Sequence, residues 1–210
     1  MAMVDWSLIS IKSYAAIASK YDRLHNRFLA FAGSSGQSAF EGAVMALAQP
    51  DMHILDAACG TGAFASRLMT MTEGGVQLTL LDACPEMLNQ TAHVTSKTVL
   101  GRLEQLPFSD KSFDMVTCAW GIETTAQPWD TVIELLRTVK SGGHLCFVAC
   151  ASVKSAGLGG WIMKRAIAAR QTGHFLDPAL GDKLKSHSSV AFARTIPCRG
   201  PALAMVIRKK

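Results

Sequence analysis

The sequence predicts a single α/β domain, a mostly parallel sheet with helices on both faces that ends in an antiparallel hairpin. Three observations carry this. Short apolar runs alternate with helical-period segments between residues 52 and 150. D-A-A-C-G-T-G at 56–62 sets two glycines between an apolar run and a helical one. Near the end, the β-like runs 188–196 and 202–208 are joined by P-C-R-G-P, a hairpin-type connection with no crossover helix.

The elements follow in order. Residues 7–31 read as a helix with Leu8, Ile11, Ala15 and Ala18 at helical spacing, and Gly33-Ser34-Ser35-Gly36 is expected to break it. A second helix runs to about Ala48, stopped by Pro50-Asp51, and Met52–Asp56 is the first strand. Ala63–Met71 is a helix ended by Gly74-Gly75, Val76–Leu81 a strand closing on Asp82, and Pro85–Ala92 a helix with proline near its start. A short strand spans Lys97–Leu100 and another Phe113–Cys118, with a turn at Leu106–Asp110 between them. Residues 129–139 are a helix with Val132, Ile133, Leu136 and Val139 on one side, and Ser141-Gly142-Gly143 turns into the strand His144–Cys150.

At 210 residues the chain is long enough for one full core, and 49% apolar with 18% charged residues excludes a disordered or fibrous protein. No repeat or linker divides it, so residues 1–210 are read as one domain: a helical cap over 1–50, a ligand-binding core over 51–150 and a lid over 151–176. Six cysteines contain no C-x-x-C pair and sit mostly in apolar runs, which reads as free thiols in a reducing cytoplasm. No basic stretch followed by an apolar one marks a secretory signal, and no apolar run reaches the ~20 residues that span a bilayer. A cytoplasmic protein, soluble or peripheral to a membrane, is expected.

The net charge of +5 is unevenly spread. Residues 1–134 carry 8 Lys/Arg against 14 Asp/Glu, whereas 135–210 carry 13 against 2. The basic half is either a surface for anionic partners or an ordinary solvated face. Within it Leu158, Trp161, Ile162 and Ala166 form an apolar stripe beside Lys154, Lys164, Arg165 and Arg170. This segment, 151–176, reads either as a lid helix packed on the sheet or as a basic amphipathic helix contacting an anionic membrane. Nucleic acid is not expected as a partner, because the basic surplus lacks interleaved aromatics.

In open parallel sheets ligands bind at the carboxyl ends of the strands. Gly60 and Gly62 let the main chain approach a ligand there, and the following helix offers its free N–H groups. Asp82, 20 residues beyond Gly62, is placed to accept hydrogen bonds from ribose hydroxyls. Gly60–Ala65 also matches the weak dinucleotide fingerprint G-x-G-x-x-A, so the loop alone leaves the nucleotide open.

The neighbouring segments narrow the choice. Tyr21-Asp22 in A-S-K-Y-D, Asp56 ahead of the glycines, G-R-L-E-Q-L-P-F-S-D-K-S-F-D-M-V at 101–116 and L-L-R-T-V-K-S-G-G-H-L at 135–145 belong together. Over residues 14–150 the chain resembles the class I S-adenosylmethionine (SAM) methyltransferases, most of all those of ubiquinone/menaquinone biosynthesis and their small-molecule and lipid relatives. The resemblance implies a Rossmann-like sheet with N-terminal helices covering SAM. It implies that Asp56 and the Gly60/Gly62 loop hold the methionine end and that Asp82 binds the ribose. Ala83, Met87, Arg102 and Leu103 would line the adenine, Ala119 and Trp120 would lie near the sulfonium, and Tyr21 would cover the cofactor; S-adenosylhomocysteine is the product.

Three positions depart from the family pattern. Ala58 stands for the first motif glycine, which an L-residue tolerates if φ is negative. Arg102 replaces the usual aspartate beside adenine, and Ser141 replaces a proline.

The resemblance implies methyl transfer to a small apolar acceptor, quinone-like, polyketide-like or lipid. An NAD(P)-dependent oxidoreductase and a catalytically inactive scaffold that binds a partner are the alternatives. A general base is needed only if the acceptor loses a proton near the transition state. Glu123, in W-G-I-E-T where the quinone enzymes have F-G-L-R-N, is the first candidate, and a solvent-facing carboxylate or helix cap is its bland alternative. His25 and His174 follow. No residue spacing suggests a metal.

Overall fold

The structure, a computed structural model, describes residues 6–151, 176–177 and 179–210. Three helices, α1 (Trp6–Ala15), α2 (Tyr21–Phe28) and α3 (Ser34–Leu47), precede the sheet. The core then alternates β1 (His53–Ala57), α4 (Ala63–Met71), β2 (Gln77–Asp82), α5 (Pro85–Leu88), β3 (Lys97–Leu100), β4 (Phe113–Ala119), α6 (Pro128–Thr138) and β5 (Val139–Cys150). A short helix α7 (Leu180–Lys185), absent from the sequence reading, leads into the hairpin β6 (Val190–Ile196) and β7 (Ala202–Lys209).

The seven strands lie in the order β3-β2-β1-β4-β5-β7-β6. All pairs from β3 to β5 are parallel, and β7 runs antiparallel to both β5 and β6, as the hairpin signal predicts. Strands covered on both faces need apolar residues at nearly every position, which is why they read as continuous runs. One face packs on α3 and α4 through Phe40, Val44, Phe64 and Leu68, against Ile54, Leu80, Met115 and Val148. The other packs on α6 and α7 through Val132, Leu135, Leu136, Leu180 and Leu184, against Leu55, Leu81, Val116 and Phe147.

Two expectations are corrected. The N-terminal helix breaks at residues 16–20, around a 3-10 turn at Ala18–Lys20, and not at Gly33–Gly36. There the chain passes through a π turn (Leu29–Gly33) straight into α3. Gly36 is needed for closeness rather than for a turn: a Cβ there would meet Ala202 Cβ at 2.6 Å, so the missing side chain lets α3 lie against β5 and β7. The turn expected at 141–143 is an irregularity within β5, where pairing jumps from Phe113–Val139 to Met115–His144. Gly142 adopts φ 79°, and a Cβ on Gly143 would stand 2.5 Å from the Asp114 carbonyl.

The L-P-F loop is held by α6. Arg137 donates to the carbonyls of Leu106 (3.3 Å) and Phe108 (2.9 Å) and to Asp110 (2.7 Å), while Glu134 accepts from the Leu106 N–H (2.8 Å) and pairs with Arg137. This network explains why L-P-F-S-D and L-L-R occur together in the sequence. Arg137→Ala is expected to lower the unfolding free energy by about 2 kcal/mol, since a charged group is lost from several carbonyls at once. A urea melt checks it.

Candidate functional site

Two lobes open at the carboxyl ends of β1, β2 and β4. They share a wall of Tyr21, Ala58, Gly60, Ala119 and Trp120. The first is lined further by Asp82, Ala83, Met87, Arg102 and Leu103, with Ser10, Ile11 and Tyr14 of α1 above it. The second is lined by Asp56, His25, Asp22, Gln37, Thr61 and Arg67, among others. Of the residues singled out in the sequence, Gly62 and Glu123 lie outside both walls.

The glycine loop is built by main-chain bonds to Asp82. The Gly60 N–H donates to Asp82 Oδ2 at 2.8 Å and the Cys84 N–H to Oδ1 at 2.9 Å. Burial raises the Asp82 pKa and these N–H groups oppose the rise. The Ala83 N–H also contributes, and of about four acceptor positions on the carboxylate one remains for a hydroxyl. Gly60 and Gly62 adopt φ 56° and 80°, and a Cβ on Gly60 would point at the Tyr21 ring, 3.6 Å away. Thr61 Oγ1 donates to Asp22 Oδ1 at 2.6 Å, latching α2 onto the loop. That bond is the local reason for the Y-D pair.

Ala58 does not meet the condition set for it. Its φ is +58°, the left-handed region that penalises an L-residue, and Trp120 has the same value. Both strained residues cap strand ends in the shared wall. The Ala58 methyl is accommodated because residue 121 is glycine: a Cβ there would lie 2.6 Å from Ala58 Cβ.

Asp56 is 2% exposed. Its Oδ1 accepts from Thr117 Oγ1 at 2.9 Å, and Oδ2 is buried without a partner. Burial pushes its pKa up to about 7, with Asp82 adding and Thr117 and Arg67 opposing. A desolvated carboxylate oxygen without a donor is costly, and an incoming ligand that brings one would relieve that cost. Arg67 lines the same lobe, held by Glu41 through Nη2 at 2.6 Å and Nε at 3.1 Å. An orphaned anion and a fixed cation in one lobe fit the ammonium and carboxylate of an α-amino acid.

His25 stacks on Tyr21 at 5.4 Å between centroids, and burial together with Arg67 lowers its pKa to about 4, so it is neutral at pH 7. Glu123 is neither solvent-facing nor a helix cap. It is 5% exposed, Oε1 accepts from the Cys150 N–H at 2.9 Å, Oε2 is unpartnered, and burial raises its pKa to about 7. The residues on either side of it, Ile122 excepted, reach the first lobe: Gly121, Thr124 and Thr125.

Sequence reasoning missed Arg67, Gln37 and Glu41, and saw Asp22 only as part of a motif. Arg67 carries a weak signal, a lone cation in an otherwise uncharged helix after the glycine loop; Gln37 carries none. All six cysteines are free, five of them buried, in agreement with the reading of unpaired thiols. His174 and the 152–175 part of the basic lid lie outside the described residues. Among the described residues no group of His, Cys, Asp or Glu could hold a metal, and no helix is long and apolar enough to cross a membrane.

The strand order with its terminal antiparallel hairpin is that of the class I SAM-dependent methyltransferase fold. Residues 55–147 match the family described as a methyltransferase domain. The chain is 38% identical over 148 residues to the malonyl-[acyl-carrier protein] O-methyltransferase of Herminiimonas arsenicoxydans, covering 70% of this chain and 53% of that protein. It is 32% identical over 140 residues to the ubiquinone/menaquinone biosynthesis C-methyltransferase of Geotalea daltonii, covering 63% and 59%. The match thus spans less than two thirds of these relatives' length. A Thermotoga maritima SAM-dependent methyltransferase, described as a possible histamine N-methyltransferase, superposes with a TM-score of 0.71 at 17% identity over 95% of this chain and 99% of that one.

Proposed function

We propose that the chain transfers the methyl group of SAM to a small acceptor of apolar character, quinone-like, polyketide-like or lipid. The observation that carries this is Asp56 Oδ2, a buried acceptor without a donor, in a lobe that Arg67 and Trp120 also line. SAM supplies, when bound, a methyl on a positive sulfonium that is ready for in-line displacement. The chain's own residues then have mainly to bind and align, and positioning of this kind can supply on the order of 7–11 kcal/mol.

Asp56 and Arg67 would hold the amino-acid end, Asp82 the ribose hydroxyls, and Ala83, Met87 and Leu103 the adenine. Arg102, whose main chain bridges to Gln105, borders the same lobe. Tyr21 and α1 would exclude water above. Glu123 is the first candidate for receiving an acceptor proton: its carboxyl titrates near neutral pH and one oxygen is uncommitted, but it lines neither lobe and would need a relaying group. Neutral His25 is the second.

The acceptor classes come from the similarity to the quinone methyltransferases; an acyl ester carried on a protein, as named for the Herminiimonas relative, is the competing acceptor. The strand order and terminal hairpin favour this reading over an NAD(P)-dependent oxidoreductase. Strain at Ala58 is what speaks for the inactive scaffold. Isothermal calorimetry with SAM, S-adenosylhomocysteine and NADH separates them. Micromolar binding of the first two is expected; binding of NADH alone, or of nothing, defeats the proposal.

A further inference from the structure

Trp120 is a bulky residue in the left-handed region, a conformation kept only where the surroundings over-determine it. Its main-chain N–H donates to the Val148 carbonyl at 2.7 Å, and Phe28 meets its ring edge-to-face at 5.0 Å. The indole Nε1–H donates to Gln37 Oε1 at 2.6 Å, in the interior. Gln37, 7% exposed on α3, donates from Nε2 to Glu41 Oε1 at 2.7 Å, and the same oxygen holds Arg67. An indole can only donate and a carboxylate can only accept, so the group between them must do both. A glutamine amide does so at this reach; methionine cannot donate and accepts only weakly, and an ionised glutamate cannot donate.

We propose that Gln37 is a positioning residue for methyl transfer. It fixes the Trp120 indole at the junction of the two lobes and ties it to the Glu41–Arg67 pair at the methionine end. Filling that end and placing Trp120 are thereby coupled. The proposal rests on the SAM reading of the site.

The test uses the full chain labelled with 5-fluorotryptophan, whose four resonances include Trp120, assigned through Trp120→Phe. Wild type is expected to show one sharp Trp120 signal that moves on adding S-adenosylhomocysteine. In Gln37→Met that signal broadens or splits without ligand, and S-adenosylhomocysteine binds about tenfold more weakly, the size of one lost buried hydrogen bond. The double variant Gln37→Glu/Glu41→Gln reverses the polarity of the link. Glu at 37 accepts from both the indole and the new amide, so the sharp Trp120 signal returns although the Arg67 ion pair is given up.

An unchanged Trp120 signal and unchanged affinity in Gln37→Met overturn the proposal. So does a folded double variant, judged by circular dichroism, that leaves the signal broad; this second variant decides alone if Gln37→Met does not fold. If wild type binds no S-adenosylhomocysteine, the SAM reading fails. The ligand-free Trp120 signals then still decide whether Gln37 fixes the indole.

Discussion

Asp56→Asn is expected to weaken binding of S-adenosylhomocysteine about 30- to 100-fold, the loss of a charge-assisted hydrogen bond in a buried lobe. The asparagine Oδ1 still accepts from Thr117, so the local fold survives, but an N–H group replaces the oxygen that has no partner. The same change is expected to make the ligand-free protein more stable at pH 8, because an uncompensated buried charge disappears.

The sign of the pH dependence follows from the raised pKa. Unfolded, Asp56 titrates near 3.8; folded, it titrates near 7. Between those values the folded chain keeps a proton that the unfolded chain has lost. Asp56 therefore contributes no penalty below about pH 4, and stability falls as the pH rises towards 7, by up to about 4 kcal/mol for this group. Glu123, raised to about 7 by burial, adds a fall of the same sign from about pH 4.5 upward. Ligand binding runs the other way: an ammonium needs the ionised carboxylate, so affinity for S-adenosylhomocysteine should rise from pH 5.5 to 7.5 and then level off. Asp82, whose pKa burial also raises, is the neighbouring carboxyl, and the comparison with Asp56→Asn separates its share of the slope. Urea melts and calorimetry across pH, for wild type and Asp56→Asn, check both slopes. A wild-type affinity flat across this range would exclude the ammonium-binding role.

The second large effect is expected at Gly121. Its φ of −108° suits any residue, so alanine is refused there only by space. A Cβ would meet Ala58 Cβ at 2.6 Å and Cys118 Sγ at 3.0 Å, and Gly121→Ala should cost about 1–3 kcal/mol through overpacking, with loss of ligand affinity in the shared wall. Ala58→Gly alone should stabilise by up to about 1 kcal/mol, because relief of the left-handed strain outweighs the greater freedom of glycine in the unfolded chain. Combined, the two changes should recover much of the Gly121→Ala loss, since the methyl that collides is gone. The remainder belongs to Cys118. A double-mutant cycle by thermal or urea unfolding reads the coupling. Additive effects would mean that Ala58 and Gly121 do not share the space the geometry gives them.

Strand and helix order was legible because it depends on local periodicity and on apolar runs buried on both faces. The hairpin was legible from Pro and Gly between two β-rich runs. The break between α1 and α2 was not, because Gly33 and Gly36 look like turn residues, whereas Gly33 closes the π turn that leads into α3 and Gly36 is a point of close packing within α3. The cofactor loop was legible in composition, but the sign of φ at Ala58 was not, since it depends on how β1 delivers the chain beneath Asp82. Glu123 was found as a residue, but its burial was not legible, and the N–H it accepts from comes from Cys150 at the end of β5.

By itself the sequence determined the fold class, the strand that carries the glycine loop and the place of Asp82 at the end of the next strand, because these follow from spacing along one chain. Only the tertiary structure decided which oxygens remain without donors, which strained residues face each other, and that Gln37 and Arg67, far apart in sequence, join one network. Hydrogen bonding and close packing are satisfied across elements brought together by burial, and no periodicity within a single element records them.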